Sequence, residues 1–244
     1  MRSILLAFAL ASIVPACGGD DGGGGGGGQA DAPSNVPAMI TVTGTAKEVG
    51  LTGTTPLAGV TVAAYRNGND TDAVAMATTD SSGNYTLTIT TNGQALDGYV
   101  KATLAQYVDT YLYPPFALAE NFDGASLNMV KPATFGVLAN TACRANQDSG
   151  KGTIAVIVAS APDTSAAAVE GATVSSTPAA TKYCYNGTSG APDFMATATA
   201  ADGIGYMFNV TGDVTVSAMK TGSTCNSHKV NARAGALTTT LIVP

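Results

Sequence analysis

Tryptophan is absent from the chain, histidine occurs once, at His228, and charged residues make up only 11%. Each shortage removes a class of chemistry. A zinc site built on two histidines and a carboxylate needs more than one imidazole. A Ser-His-Asp triad would have to use His228, in the segment SHKVNA, and no G-x-S-x-G elbow occurs to present the serine. His228 is therefore expected as a partly exposed strand residue, with no catalytic residue, metal or cofactor indicated. Basic residues do not cluster and the formal net charge is −6, which argues against nucleic acid as a partner, because phosphates demand Lys and Arg. The acidity is uneven: residues 38–140 carry four cations and eight anions, whereas residues 141–244 carry six of each.

Long apolar runs are missing too. The longest near the start, ILLAFALASIV from Ile4 to Val14, has 11 residues, against the roughly 20 that a spanning helix needs. With Arg2 ahead of it, it reads as an export signal covering residues 1–16. The stretch VPAC resembles a bacterial lipobox, which implies that Cys17 becomes the first residue and receives diacylglycerol. Val14 and Ala16 also suit signal peptidase I, which would give plain secretion. Residues 17–37 follow, with seven consecutive glycines, Gly22 to Gly28. Such a segment buries too little to offset its ordering entropy. As a Gly-rich coil of about 20 residues it spans roughly 25 Å, which suits a tether holding a folded body off a membrane.

What remains alternates apolar residues with Thr, Ser and Ala, the period of a half-buried strand. Strands are expected in AMITVTGTAKEV, LAGVTVAAYR, AVAMATT, NYTLTIT, GYVKATL, YVDTYLY and ASLNMV. A second set follows in GTIAVIVAS, GATVSSTP, TKYCYN, FMATATA, GYMFNV, DVTVSAMK, HKVNARA and ALTTTLIV. The fold class is therefore all-β, with two tandem antiparallel sandwiches at residues 38–131 and 151–244. In the linker 132–150, Pro132 suits a first helical turn, and Phe135, Leu138 and Ala139 give an apolar stripe. It reads either as a short bracing helix or as an irregular segment.

The halves repeat one another. Leu57-Ala-Gly59-Val60-Thr61-Val62 parallels Val169-Glu-Gly171-Ala172-Thr173-Val174, and Asp80-Ser-Ser-Gly83-Asn84-Tyr85 parallels Asp202-Gly-Ile-Gly205-Tyr206. An Asp-x-x-Gly turn ties its own amides to the carboxylate and lets Gly take positive φ. LAGVTV followed by TDSSGNYTL resembles the carboxypeptidase regulatory-like domain, a transthyretin-type sandwich. The resemblance implies an accessory binding or spacing role and no peptidase activity.

Several clusters invite a functional reading. Six aromatics fall between Tyr99 and Phe122, and Tyr107, Tyr111 and Tyr113 are spaced to share one strand face. That face would either stack on sugars or close a core of small residues. RNGNDTDA gathers Asp70, Asp72, Asn67 and Asn69, which reads as a calcium loop or a solvated hairpin. Apart from Cys17 there are three cysteines in an oxidising compartment. Cys184 with Cys225 is the expected disulfide, with Cys143 to Cys225 as the alternative and a Cys₃His zinc site as a remote third. The sum is a non-enzymatic lipoprotein of the bacterial cell envelope, anchored in the outer membrane through Cys17, meeting an envelope protein or polysaccharide. A carbohydrate-binding role for the tyrosine face is the competing expectation.

Overall fold

The computed structural model describes residues 36–162 and 166–243, with Ser223 and Thr224 described by backbone alone. The export signal, Cys17 and the glycine run lie outside the described residues.

The first half contains β1 (Met39–Val49), β2 (Thr54–Pro56), β3 (Thr61–Arg66), β4 (Ala75–Thr78), β5 (Asn84–Thr90), β6 (Gly98–Thr103), β7 (Thr110–Tyr113) and β8 (Phe122–Met129). A helix, α1 (Pro132–Gly136), widens into a π-type turn at Val137–Ala142. The second half contains β9 (Gly152–Val158), β10 (Thr173–Thr177), β11 (Lys182–Asn186), β12 (Pro192–Asp193), β13 (Ile204–Val210), β14 (Gly212–Lys220), β15 (Ser223–Thr224), β16 (His228–Ala232) and β17 (Leu237–Ile242). The alternation that marks these segments is realised as burial on one face: in β5, Tyr85, Leu87 and Ile89 point inward and the threonines between them outward.

Among the described residues the strands form three sheets. β8, β1 and β5 make one, with β2 beside the end of β1; β10, β14 and β16 make another, extended by β15. The third is continuous through both halves, in the order β12-β11-β13-β9-β17-β7-β6-β3-β4. The last of the described strands, β17, lies parallel to β9 on one side and parallel to β7 of the first half on the other. The tandem halves are thus fused through one sheet, which crosses the division expected around residues 132–150.

The small sheets cover opposite faces of the large one. Val62, Ala64, Val100 and Ala102 of the large sheet meet Ile40, Val42, Leu87 and Leu127 of the first small sheet. On the other face, Ile154, Val156, Val158 and Ile242 meet Val174, Val214, Val216 and Val230 of the second. The helical linker packs over the second half of the large sheet, where Ala139, Cys143 and Ala145 surround Cys184 and Phe208.

The repeat holds at the level of single hydrogen bonds. In the first half the Val60 amide donates to Thr79 Oγ1 (3.0 Å), whose hydroxyl donates to the Leu57 carbonyl (2.7 Å). In the second, the Ala172 amide donates to Thr199 Oγ1 (2.9 Å), whose hydroxyl donates to the Val169 carbonyl (2.7 Å). Gly59 and Gly171 turn the chain beside these bonds with φ of 74° and 77°. The Ala46 amide donates to the Gly83 carbonyl and the Val158 amide to the Gly203 carbonyl. Gly83 therefore matches Gly203, and not Gly205, which the sequence repeat alone aligns with it. Both have positive φ, and a Cβ at either would overlap a backbone carbonyl of the neighbouring strand.

One expected strand, FMATATA, does not form. Its counterpart β4 pairs along β3, but in the second half the equivalent edge of β10 is satisfied otherwise. The Val174 amide donates to the Tyr185 hydroxyl (3.1 Å) and the Ser176 amide to that of Tyr183 (3.3 Å). With those donors taken, only Thr199 of the segment is held against Ala172.

Replacing either bridging threonine by valine keeps the shape and strands a buried amide. Thr79→Val and Thr199→Val should each destabilise by about 1–3 kcal/mol, measured by urea unfolding. The matched roles predict similar losses.

Candidate functional site

The fused sheet gathers the first half's tyrosines onto the second half's core. Tyr65, Tyr99, Tyr111 and Tyr113 share one face, because Tyr65 is paired with Tyr99 across β3 and β6, and Lys101 with Tyr111 across β6 and β7. Tyr99 stacks between Tyr65 (centroids 5.4 Å apart) and Tyr113 (5.0 Å). In register with Tyr111 and Tyr113 stand Thr238 and Thr240 of β17, whose neighbours across β9 are Ile154 and Val156.

Arg233, in the turn between β16 and β17, closes over this cluster. Its guanidinium carbon lies 4.2 Å from the Tyr111 ring centroid and 4.6 Å from that of Tyr99. Nη2 donates to Asp70 Oδ1 (2.8 Å), Nε to Asp70 Oδ2 (3.3 Å), and Nη1 to the Tyr113 hydroxyl (3.0 Å). The Tyr99 hydroxyl donates to the same carboxylate. A cation from one half is thereby held by rings and a carboxylate from the other. Burial opposes the charge of Arg233, but its bonds to Asp70 and Tyr113 outweigh that and hold its pKa above the ordinary arginine value. The Arg233 bonds, followed by that from Tyr99, lower the Asp70 pKa below its ordinary 3.8.

The structure decides three sequence expectations. Tyr107, Tyr111 and Tyr113 do not form one exposed face. Tyr111 and Tyr113 are 7% and 4% exposed, and Tyr107 precedes β7 and turns to the other side, packing against the first half's core and donating to Glu48. Gln106, at φ 71°, breaks the extended run that would have aligned them. The RNGND loop is a largely exposed hairpin, the second of its two readings, and its oxygens are already engaged: Asp70 by Arg233 of the other half, and Asn69 Oδ1 by the amides of Thr71 and Asp72. The disulfide joins Cys143 to Cys184, not Cys184 to Cys225. Cys184 lies on the sheet face under the linker, whereas Cys225 is buried on the other side of the sheet, a free thiol among the described residues. With two thiols joined, a Cys₃His site is unavailable, and no group of three or more His, Cys, Asp or Glu among the described residues is placed to hold a metal.

His228 is half-buried, with Nε2 2.7 Å from the Thr240 hydroxyl. Burial lowers its pKa below 6.5. It acts as an internal pin between the β16 and β17 layers.

Beside the clasp opens a cleft of about 470 Å³, which the sequence did not announce because its walls come from four separate segments. Tyr107 to Tyr111 form one wall, α1 and Asn140 a second, Gln147 to Lys151 a third, and the turn from Arg233 to Ala236 the fourth. The third wall is firmly built. The Gln147 amide donates to Asn140 Oδ1 (2.7 Å), its Nε2 to the Asp148 and Lys151 carbonyls (3.0 and 3.2 Å), and its Oε1 accepts from Thr153 (2.9 Å). Asn209, at φ 59°, ties the same loop to β13 through a bond from the Asp148 amide (2.8 Å).

No family model matches the sequence, and no curated protein matches it. Among solved structures, shaft pilin SpaA from Lactobacillus rhamnosus GG (a D295N mutant) is similar at 13% identity, over 84% of this chain and 96% of that one, with a TM-score of 0.28. The minor pilin GBS52 of Streptococcus agalactiae is 14% identical over 84% and 97%, with a TM-score of 0.26. The Bacillus anthracis TIE protein is 12% identical over 84% of this chain and 34% of that chain, also at 0.26. At these identities and scores the similarity carries no functional inference.

Arg233→Ala removes the clasp and bares the tyrosine rings. Asp70 is largely exposed and regains water, so a loss of about 1–3 kcal/mol is expected in chemical denaturation, mostly from lost ring and hydrogen-bond contacts. Because the folded Asp70 pKa is lowered, its share of stability is complete above the ordinary carboxylate range and disappears as pH falls below 3.8. Asp70→Asn should flatten that part of the acid-unfolding profile. Peptide mapping without reductant should recover Cys143 linked to Cys184 and Cys225 alkylated after unfolding. Cys143→Ser, which opens a loop with a sequence separation of 41, should cost about 2–4 kcal/mol in the same assay.

Proposed function

We propose that this chain is a non-enzymatic lipoprotein of the bacterial cell envelope, in which a lipidated Cys17 and a glycine tether carry one rigid β body. The observation that carries the reading is the nine-stranded sheet shared by both halves and locked by Arg233. Two sandwiches joined by a flexible linker would swing independently; a shared sheet makes the described residues of the two halves move as one, which suits a spacer or a presenting surface. The glycine-rich composition of residues 17–37 suits such a tether. The matching turns at LAGVTV and VEGATV, and at Gly83 and Gly203, support the carboxypeptidase regulatory-like assignment, with its accessory character. His228, pinned to Thr240, is engaged in structure and is poorly placed to serve as a general base. Attachment raises the local concentration of the body, so that weak contacts with an envelope protein or polysaccharide act together with the anchor. The outer membrane is the proposed location.

The test is the mass of the N-terminal peptide from protein made in a native-like bacterial host. The expected peptide starts at Cys17 and carries diacylglycerol, and Cys17→Ala should move the protein from the membrane to the soluble fraction. A Cys17 start without lipid would overturn the anchor and favour secretion.

A further inference from the structure

From the cleft at the joint we infer a binding site for a small neutral saccharide, a role that goes beyond the anchoring reading and does not depend on it. The volume, about 470 Å³, lies within the range of small-ligand sites and suits one or two sugar rings. Its chemistry points the same way. The charged side chains lining it balance, Asp109 and Asp148 against Lys151 and Arg233. Two of the four are already neutralised: Asp109 by Lys101 at 3.1 Å and Arg233 by Asp70 at 2.8 Å. The site therefore has no net field to recruit a polyanion or a cation.

What remains available is a mixed set of hydrogen-bonding groups. Asp148 uses Oδ1 on the Gly150 amide (2.8 Å), leaving Oδ2 as an acceptor. The Asn140 oxygen is taken by the Gln147 amide, leaving its NH₂ as a donor. Lys151 and Ser149, also on the lining, complete the set. A hydroxyl both donates and accepts, so vicinal hydroxyls can be gripped by a carboxylate and an amide NH₂ at once. Pro132, exposed, and Phe135, half-buried, give the lining apolar surface for the C–H face of a ring. The Gln147 and Asn209 bonds, with the nearby disulfide, hold this set in place before any ligand arrives.

A peptide strand is a poorer fit. The strands nearest the cleft, β7 and β17, spend their facing edges on each other, so no free ladder of amides and carbonyls is offered for strand addition.

The experiment is saturation-transfer NMR on the detergent-solubilised full chain. The probes are glucose, galactose, mannose, N-acetylglucosamine, maltose, cellobiose, galacturonate and trialanine. At least one neutral sugar should receive saturation and compete in titration, with galacturonate weaker than galactose. Asp148→Ala and Lys151→Ala should each weaken the bound sugar tenfold or more, with near-ultraviolet circular dichroism unchanged. Thr88→Ala, on the exposed face of the first small sheet, should leave binding intact. Three results would each overturn the proposal: no transfer to any neutral sugar, sugar binding indifferent to both cleft variants in folded protein, or transfer to trialanine alone. Because detergent replaces the membrane, none of these outcomes depends on whether Cys17 is lipidated.

Discussion

The parallel pairing of β17 with β7 is the constraint from which the rest of the architecture follows. Inserted between β9 and β7, β17 gives the large sheet its nine strands and removes two edges that would otherwise be open to association. It also fixes which face of the first half is buried. In register with Thr238 and Thr240, Tyr111 and Tyr113 must point toward the second half's core. There their rings are buried; Arg233 donates to the Tyr113 hydroxyl, and the hydroxyl of the neighbouring Tyr99 donates to Asp70, so that burial does not strand these polar ends. The hydroxyls of Thr239 and Thr240 donate to the Tyr111 and Tyr113 carbonyls (3.1 and 2.9 Å), so side chains reinforce the ladder.

Period-two alternation made the strands legible, because it reports which residues share a face and β5 or β10 obeys it strictly. Alternation does not say what covers the face. Tyr111 and Tyr113 were rightly placed on one side of a strand, yet the sugar-facing and core-closing readings both missed that the cover is the other half of the chain. Cysteine pairing failed for the same reason: Cys184 and Cys225 both sit near strands, but only the sheet order reveals that they lie on opposite faces. FMATATA alternates as well as any true strand. It stays unpaired because the hydroxyls of Tyr183 and Tyr185, remote in pattern terms, reach the amides it would have bonded. The cleft was illegible because its four walls meet only after the sheet is closed.

The repeat shows where the halves were free to diverge. Matching registers align Tyr65 with Thr177, Tyr99 with Thr215 and Tyr113 with Lys229. The first half thus carries rings at the positions that meet the second half, and the second half carries polar residues on the corresponding outer face, which is solvated. The core positions beneath them keep their character, as with Val62 and Val174, or Val100 and Val216. Burial on the inner face is needed in both halves, whereas burial on the outer face is needed only where another sheet arrives.

The same comparison explains how two cores of equal design hold different side chains. Gly44 on β1 faces Tyr85 on β5, and a Cβ at Gly44 would overlap the Ala125 carbonyl and the Tyr85 hydroxyl. That hydroxyl donates to the Ala125 carbonyl at 2.7 Å, which ties β5 across β1 to β8. At the matching pair of the second half the sizes are exchanged: Val156 on β9 faces Gly205 on β13, and Tyr185 from β11 fills the space above the glycine. Packing conserves volume across a strand pair more strictly than it conserves residue type at either position. With β11 supplying the ring, its hydroxyl reaches the β10 edge and replaces the strand that β4 provides in the first half. One exchange of a glycine and a large side chain thus accounts for both the altered core and the missing strand.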